Sequence, residues 1–401
     1  MPHHEATLIA TIAVGLSVAF VAGLLAFRAR LPPLVGYLLA GIAVGPFTAG
    51  FVADATLAPQ LAEIGVILLM FGVGMHFSVG DLWAVRKIAI PGAVGQILVA
   101  TALGAGVAHL WGWPLEAGLM FGLALSVAST VVLLRALEDL GLVKTDDGRI
   151  AVGWLVVEDL GMVLALVLLP ALVGPAHPLA GPPVSGGIWT AIGLTLGKVA
   201  IFSVLILVVG GRVFPWLLKR VQKTGSRELF TLAVVALSLG VAFASAELFG
   251  VSLALGAFFA GMVVHESDLS HRAEGELRPL QDVFGALFFV SVGMLFDPTV
   301  LVREPLRVLV VIGIIVVGKS IAAFGIVRLL RGSVRTALTV SAALAQIGEF
   351  SFILATLGVV LGLLNSESQS LIVAGALLSI TLNPLVFRLA ARRTPKAPRE
   401  S

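Results

Sequence analysis

The sequence predicts an all-α polytopic membrane protein of about 13 transmembrane helices, built as two repeats of opposite topology. Three observations predict it. Of 401 residues, 58% are hydrophobic and only 12% are charged, whereas a soluble domain keeps about 25% charged residues to cover its surface. Apolar windows of about 18 or more residues recur along the chain, each long enough to cross ~30 Å of hydrocarbon. Finally, several sequence blocks recur in the same order at a nearly constant spacing. With no cysteine, disulfides, thiolate metal sites and covalent thiol chemistry are excluded. The pI near 9.5 reflects loop Lys and Arg, which in a membrane protein report topology and not nucleic-acid binding.

Taken in order, spans are expected near 5–27, 32–46, 57–77, 88–110, 114–134, 150–172, 187–211, 228–248, 251–264, 280–296, 308–327, 336–363 and 367–390. The first, with its apolar run Thr7–Phe27, is not a signal peptide: His3, His4 and Glu5 precede it and the positive charges, Arg28 and Arg30, follow it. The second and ninth are short and glycine-rich. Of 26 Lys and Arg residues, Arg303 and Arg307 fall on one side and Lys198 and Lys319 within spans, so the remaining 22 share the other side. The positive-inside rule then puts the N-terminus outside and the C-terminus in the cytoplasm, as an odd number of spans requires. A bacterial inner (plasma) membrane is the expected location.

The repeat is visible in three blocks. Gly36-Tyr-Leu-Leu-Ala-Gly41 aligns with Gly256-Ala-Phe-Phe-Ala-Gly261 at an offset of 220. Leu61–Leu82, containing Met75 and Phe77, aligns with Leu280–Leu301, containing Met294 and Phe296, at an offset of 219, and the same offset lays 124–131 on 343–350. Residues 1–173 form the first repeat (helices 1–6), 187–218 a linker helix 7, 228–390 the second repeat (helices 8–13) and 391–401 a basic cytoplasmic tail. Inverted repeats are typical of secondary transporters, whose substrate sites lie at mid-membrane.

Glu158 and Asp159 sit near the middle of the apolar run Ile150–Pro170. An ionisable residue at mid-membrane costs ~2.5–3.5 kcal/mol on insertion scales, so two adjacent ones mark an ion path, a proton relay or a buried charge pair. Span 11 holds one charge, Lys319, expected in the same layer with Glu158 or Asp159 as its partner. A purely architectural ion pair is the competing reading. Gly313 to Ser320 satisfies a P-loop pattern, but its intervening residues are Ile and Val inside a span, where no phosphate-binding turn forms. Spans 5 and 12 each carry a polar interruption: Ser126, Ser129 and Thr130 in one, Gln346, Gly348, Glu349 and Ser351 in the other. Their equivalent repeat positions predict two broken helices crossing beside the acidic pair, lining a cavity that offers carbonyls to cations. The serines and threonine can instead bond back to their own helices. Glu63, His76, His109, Glu116, His177, Lys198 and Glu247 read as interface or boundary residues.

Together these segments resemble the monovalent cation:proton antiporter-2 family, in its Kef-type branch and most closely its YbaL-type members. The carriers include 34–42, 65–72, 129–133, Val157-Glu-Asp-Leu160, 254–261, 288–294, Gly318-Lys-Ser320 and Ala345-Gln-Ile-Gly-Glu-Phe350, which extend across almost the whole chain. The resemblance implies a sodium/proton antiporter (NhaA-like) fold: a core transport domain from helices 4–6 and 11–13, with two crossed discontinuous helices, beside a dimerisation domain. It also implies homodimers. By the same resemblance Asp159 matches the ion- and proton-binding aspartate, and Glu158 the position before it. Lys319 matches a lysine that pairs with that site in several relatives. Glutamate at 158 departs from the glutamine of glutathione-gated potassium efflux proteins, which leaves K+ against Na+ open. Kef-type proteins usually carry a cytosolic nucleotide-binding regulatory domain after the last span; this chain stops after a short basic tail, so it is expected to be either a piece of a longer protein or an ungated member, with no cofactor in this chain.

The expected function is exchange of K+ or Na+ for protons by alternating access, with no enzyme chemistry and no nucleic-acid partner. Asp159 would hold a proton or a dehydrated alkali cation in competition, with Glu158 as second ligand. Two carboxylates and one ammonium leave a single negative charge, which one alkali cation neutralises. A gated cation channel and a non-transporting pH sensor on the same fold are the alternatives.

Overall fold

The computed structural model describes residues 3–48, 57–76, 79–143, 145–173 and 187–393. Phe77, Lys144, His177 and the tail from residue 394 lie outside the described residues. Within them the regular structure is helical: α1 (His3–Arg28), α2 (Pro33–Val44), α3 (Leu57–His76), α4 (Val79–Leu110), α5 (Leu115–Ser126), α6 (Thr130–Asp139), α7 (Asp146–Val173), α8 (Gly187–Leu205), α9 (Gly211–Gln222), α10 (Arg227–Phe249), α11 (Leu253–His265), α12 (Ser270–Met294), α13 (Val300–Arg303), α14 (Pro305–Ile312), α15 (Lys319–Leu329), α16 (Val334–Ala343), α17 (Glu349–Val360) and α18 (Ser366–Arg393). Single π turns, Ile206–Gly210 and Gly313–Gly318, join α8 to α9 and α14 to α15. The second ends directly at Lys319, and π turns inside helices often mark functional positions.

Every expected span falls on helix, with informative differences at the ends. Span 5 is divided into α5 and α6, and span 12 into α16 and α17. α4 starts at Val79 and α12 at Ser270, about ten residues before the apolar stretch that signals each span. Arg86 and Lys87, and Arg272 to Arg278, occupy those extra turns, because a helix satisfies its own backbone and need not stop where the lipid does. Among the described residues, seven helical stretches are long and apolar enough to cross a bilayer alone, and five shorter apolar ones accompany them. A helix of 12 residues, such as α2 or α17, reaches only ~18 Å at 1.5 Å per residue. Such short helices need packed partners at mid-membrane depth.

The chain divides into two compact units: Met1–Phe20, Ala43–Ser78 and Val163–Ser291 form one, and Val21–Ile42, Val79–Met162 and Val292–Ser401 the other. In the first, α3 and α11 pack backbone to backbone. A Cβ at Gly261 would lie 2.0 Å from the Phe71 carbonyl oxygen, and one at Gly74 would lie 2.1 Å from that of Phe258. Without a hydrophobic drive between helices in lipid, such small residues provide the dispersion contact. The polar ends of this unit are tied by Arg227 to Glu276 at 2.9 Å and Lys219 to Asp268 at 2.8 Å.

In the second unit, Gly122 of α5 lies against Thr101 of α4, where a Cβ would come 2.2 Å from the carbonyl oxygen. Ala89 and Ala93 of α4, Ala151, Trp154 and Leu155 of α7, Ala323 and Val327 of α15 and Val340 and Ala343 of α16 form one buried apolar layer. That layer holds α7 and α15, the helices bearing Glu158, Asp159 and Lys319, in fixed register.

Candidate ion-binding site

The site is built where the two broken helices meet. After Ser126 the chain is extended at Val127 (φ −91°, ψ 130°), and Ser129 then caps α6 by accepting a hydrogen bond from the Val132 N–H at 3.4 Å. α16 stops at Ala343, and Gly348, extended at φ −133° and ψ −155°, precedes α17. The caps Ser129 and Gly348 are 219 residues apart, the same offset as the repeated blocks. They touch: a Cβ on Gly348 would fall 2.4 Å from Ser129 Cα.

Gln346 fastens this crossing. The Ser129 N–H donates to Gln346 Oε1 at 2.9 Å, and Gln346 Nε2 donates to the Ser129 carbonyl at 3.1 Å. One amide thereby pairs the Ser129 N–H and adds a second donor to a carbonyl that already accepts from the Leu133 N–H at 3.1 Å. Ser351 Oγ adds a donor to the Val127 carbonyl at 3.4 Å, and Ser129 Oγ donates to Glu349 Oε2 at 3.0 Å.

α7 supplies the acidic pair, buried at 0% exposure for Glu158 and 2% for Asp159. Glu158 accepts from the Ala128 N–H at 3.1 Å on one oxygen and from Trp154 Nε1 at 3.1 Å on the other. Asp159 accepts from Thr130 Oγ1 at 2.9 Å through Oδ2, while its Oδ1 is buried with no hydrogen-bond partner among the described residues. Lys319, also 0% exposed, donates to the Gln346 carbonyl at 3.0 Å. Its charge acts on Glu158, but its hydrogen bond goes to that carbonyl and not to a carboxylate. Glu349 and Glu158 both act electrostatically on Asp159. With Glu349 added to the expected pair, three buried carboxylates facing one ammonium carry two negative charges in excess when all are ionised, so a proton and a small cation together neutralise the site.

Of the residues singled out in the sequence, Glu158, Asp159, Ser129, Thr130, Lys319, Gln346 and Glu349 are thus linked into one network. Ser126 is buried but donates to the Leu123 carbonyl of its own helix at 2.7 Å. Sequence reasoning missed Trp154 and the Ala128 N–H. The i,i+4 spacing of Trp154 and Glu158 on α7 was the available signal. His76 pairs with Glu274 at 3.2 Å in the first unit. Among the described residues no group of three or more His, Asp or Glu has the geometry to hold a metal ion. Carboxylate and carbonyl oxygens, as gathered here, suit hard cations. A cavity of about 680 Å³, lined in part by Arg28, Arg30, Val132, Ala136, Asn383 and Arg388, opens beside α6 and α18. Asn383 in its wall donates to the Ala342 carbonyl at 2.9 Å, just before the break in span 12.

Broken helices crossing over buried carboxylates define an ion-handling membrane protein. The chain belongs to the sodium/hydrogen exchanger family, whose transmembrane model matches residues 16–392. It is a family of transporters and not of enzymes. The chain is 58% identical to YbaL of Escherichia coli (strain K12), named as a cation/proton antiporter, over 98% of its own length and 70% of the relative's. It is 34% identical to K(+) efflux antiporter 4 of Arabidopsis thaliana over 89% of its own length, spanning 60% of that protein. The structure is similar in fold to the sodium proton antiporter MjNhaP1 from Methanocaldococcus jannaschii, with a TM-score of 0.69 at 16% identity, covering 97% of this chain and 99% of that one.

Proposed function

We propose that this protein exchanges a monovalent cation, K+ or Na+, for protons by alternating access, with Asp159 as the group that binds either. The observation that carries the reading is Asp159 Oδ1, buried and without a partner, beside a carboxylate-rich crossing of two broken helices. An aspartate with one oxygen held by Thr130 and the other free is oriented yet able to take a new ligand. Glu158 is the second ligand of the cation, and Lys319 is the resident counter-charge. The second unit, which contains all of these residues, carries transport, and the 680 Å³ cavity is the route from the cytoplasmic side. The N-terminus faces outside and the C-terminus the cytoplasm of a bacterial inner membrane, and the protein acts as a homodimer.

Proteoliposomes with an internal pH-sensitive dye test the proposal. Addition of K+ or Na+ outside should drive saturable, cation-dependent proton movement. Current without proton coupling would identify a channel, and no flux with either cation would identify a sensor; both outcomes contradict exchange.

A further inference from the structure

Four buried side-chain atoms lack a hydrogen-bond partner among the described residues, and they belong to three residues: Gln96, Thr101 and Asp159. Asp159 belongs to the site already described. Gln96, on α4, is 0% exposed and neither its amide oxygen nor its amide nitrogen has a partner. Buried polar groups are nearly always paired, and one that is not lowers stability, so each exception needs a reason.

The register of α4 against α7 says where this amide lies. A Cβ at Gly153 would meet Val85 at 2.5 Å and Ala89 at 3.6 Å, and one at Gly92 would meet the Trp154 ring at 2.1 Å. Val85, Ala89 and Gly92 recur at the spacing of one helix face, and Gln96 is the next position on it. Further along, a Cβ at Gly161 would lie 3.4 Å from Ile97. Gln96 therefore comes between the Trp154 and Gly161 levels of α7, which is the level of Glu158. On the next helix, Gly95 faces Ile326 of α15 and Leu103 faces Gly318, the residue before Lys319. The amide is thus placed at the level of Glu158, on the face that α4 turns to α7.

We propose that Gln96 is a further member of the exchange site, a specificity-determining residue that acts through Glu158. In the cation-loaded site its amide nitrogen would turn to the Glu158 carboxylate and its amide oxygen to the alkali cation held there, which gives both groups the partners they lack in this structure. The inference rests on the exchange reading above. An amide suits this position because it offers one donor group and one acceptor and stays uncharged while protons and cations pass.

The test compares the unaltered protein with Gln96→Met and Gln96→Leu in proteoliposomes, reading the KM for K+ and for Na+, and the Tm. Removing a partnerless buried amide leaves Tm unchanged or higher, so a merely structural role would move Tm alone. The proposal expects KM to rise about ten-fold and the K+/Na+ preference to change in both variants. KM and preference within about two-fold of the unaltered protein would overturn it while leaving exchange intact. Loss of the folded protein in both variants would make the amide structural and overturn it as well. Absence of exchange by the unaltered protein would overturn the exchange reading, and this inference with it.

Discussion

Glu158 and Asp159 are neighbours in sequence but have different surroundings. Glu158 has both oxygens occupied, by Ala128 and Trp154, whereas Asp159 has one occupied, by Thr130. This asymmetry assigns the carrier role to Asp159 in our proposal. Trp154→Phe keeps the ring in the apolar layer but removes the donor to a buried carboxylate. The lost hydrogen bond costs about 1–3 kcal/mol, which should appear as a lowered Tm, with KM for the cation raised as Glu158 loses its orientation. Thr130→Val is nearly isosteric but removes the donor to Asp159 Oδ2, so it should lower Tm as Trp154→Phe does and also weaken cation binding, measured as KM. The acidic pair, Lys319 and Glu349 were all legible in the sequence because charge in an apolar span is rare. The partners were less legible. Gln346 could be seen as polar, but its clasp on Ser129 depends on a contact between residues 217 positions apart, which no local pattern encodes.

Helices were legible as elements, but their ends and breaks only in part. Polar interruptions marked the breaks in spans 5 and 12, while the charged first turns of α4 and α12 concealed where those helices start. The crossing itself depends on Gly348, not for its backbone angles, which any residue can adopt, but for space. Gly348→Ala would force the Ser129 contact apart, so we expect a sharp fall in both folded yield and exchange, read by size-exclusion profile and flux. At the ends of α10 and α12, the Arg227 hydrogen bond holds the Glu276 carboxyl below its ordinary value of 4.5. A depressed carboxyl contributes stability that is present above the unfolded pKa and is lost as pH falls through the folded one. The Tm difference between the parent and Glu276→Gln should therefore be largest above pH 4.5 and vanish on acidification.

At the scale of the whole molecule, the sequence repeat and the structural breaks agree in spacing, since Ser129 and Gly348 keep the offset of the flanking blocks. The division into two units was expected only through the family resemblance, because it depends on contacts between helices distant in sequence, which no local pattern encodes. Orientation can be tested directly because the chain has no cysteine of its own. Thr224→Cys, in the turn between α9 and α10, should react with an impermeant thiol reagent only from the cytoplasmic side, and Ser366→Cys only from outside. The central claim is that a buried aspartate carries either a proton or a cation. Its most direct test is Asp159→Asn reconstituted beside the unaltered protein, with proton movement followed as K+ and then Na+ is titrated. The account predicts no cation-dependent proton flux from the variant at any concentration, with the parent active and both proteins equally folded. Undiminished flux through Asp159→Asn would contradict it.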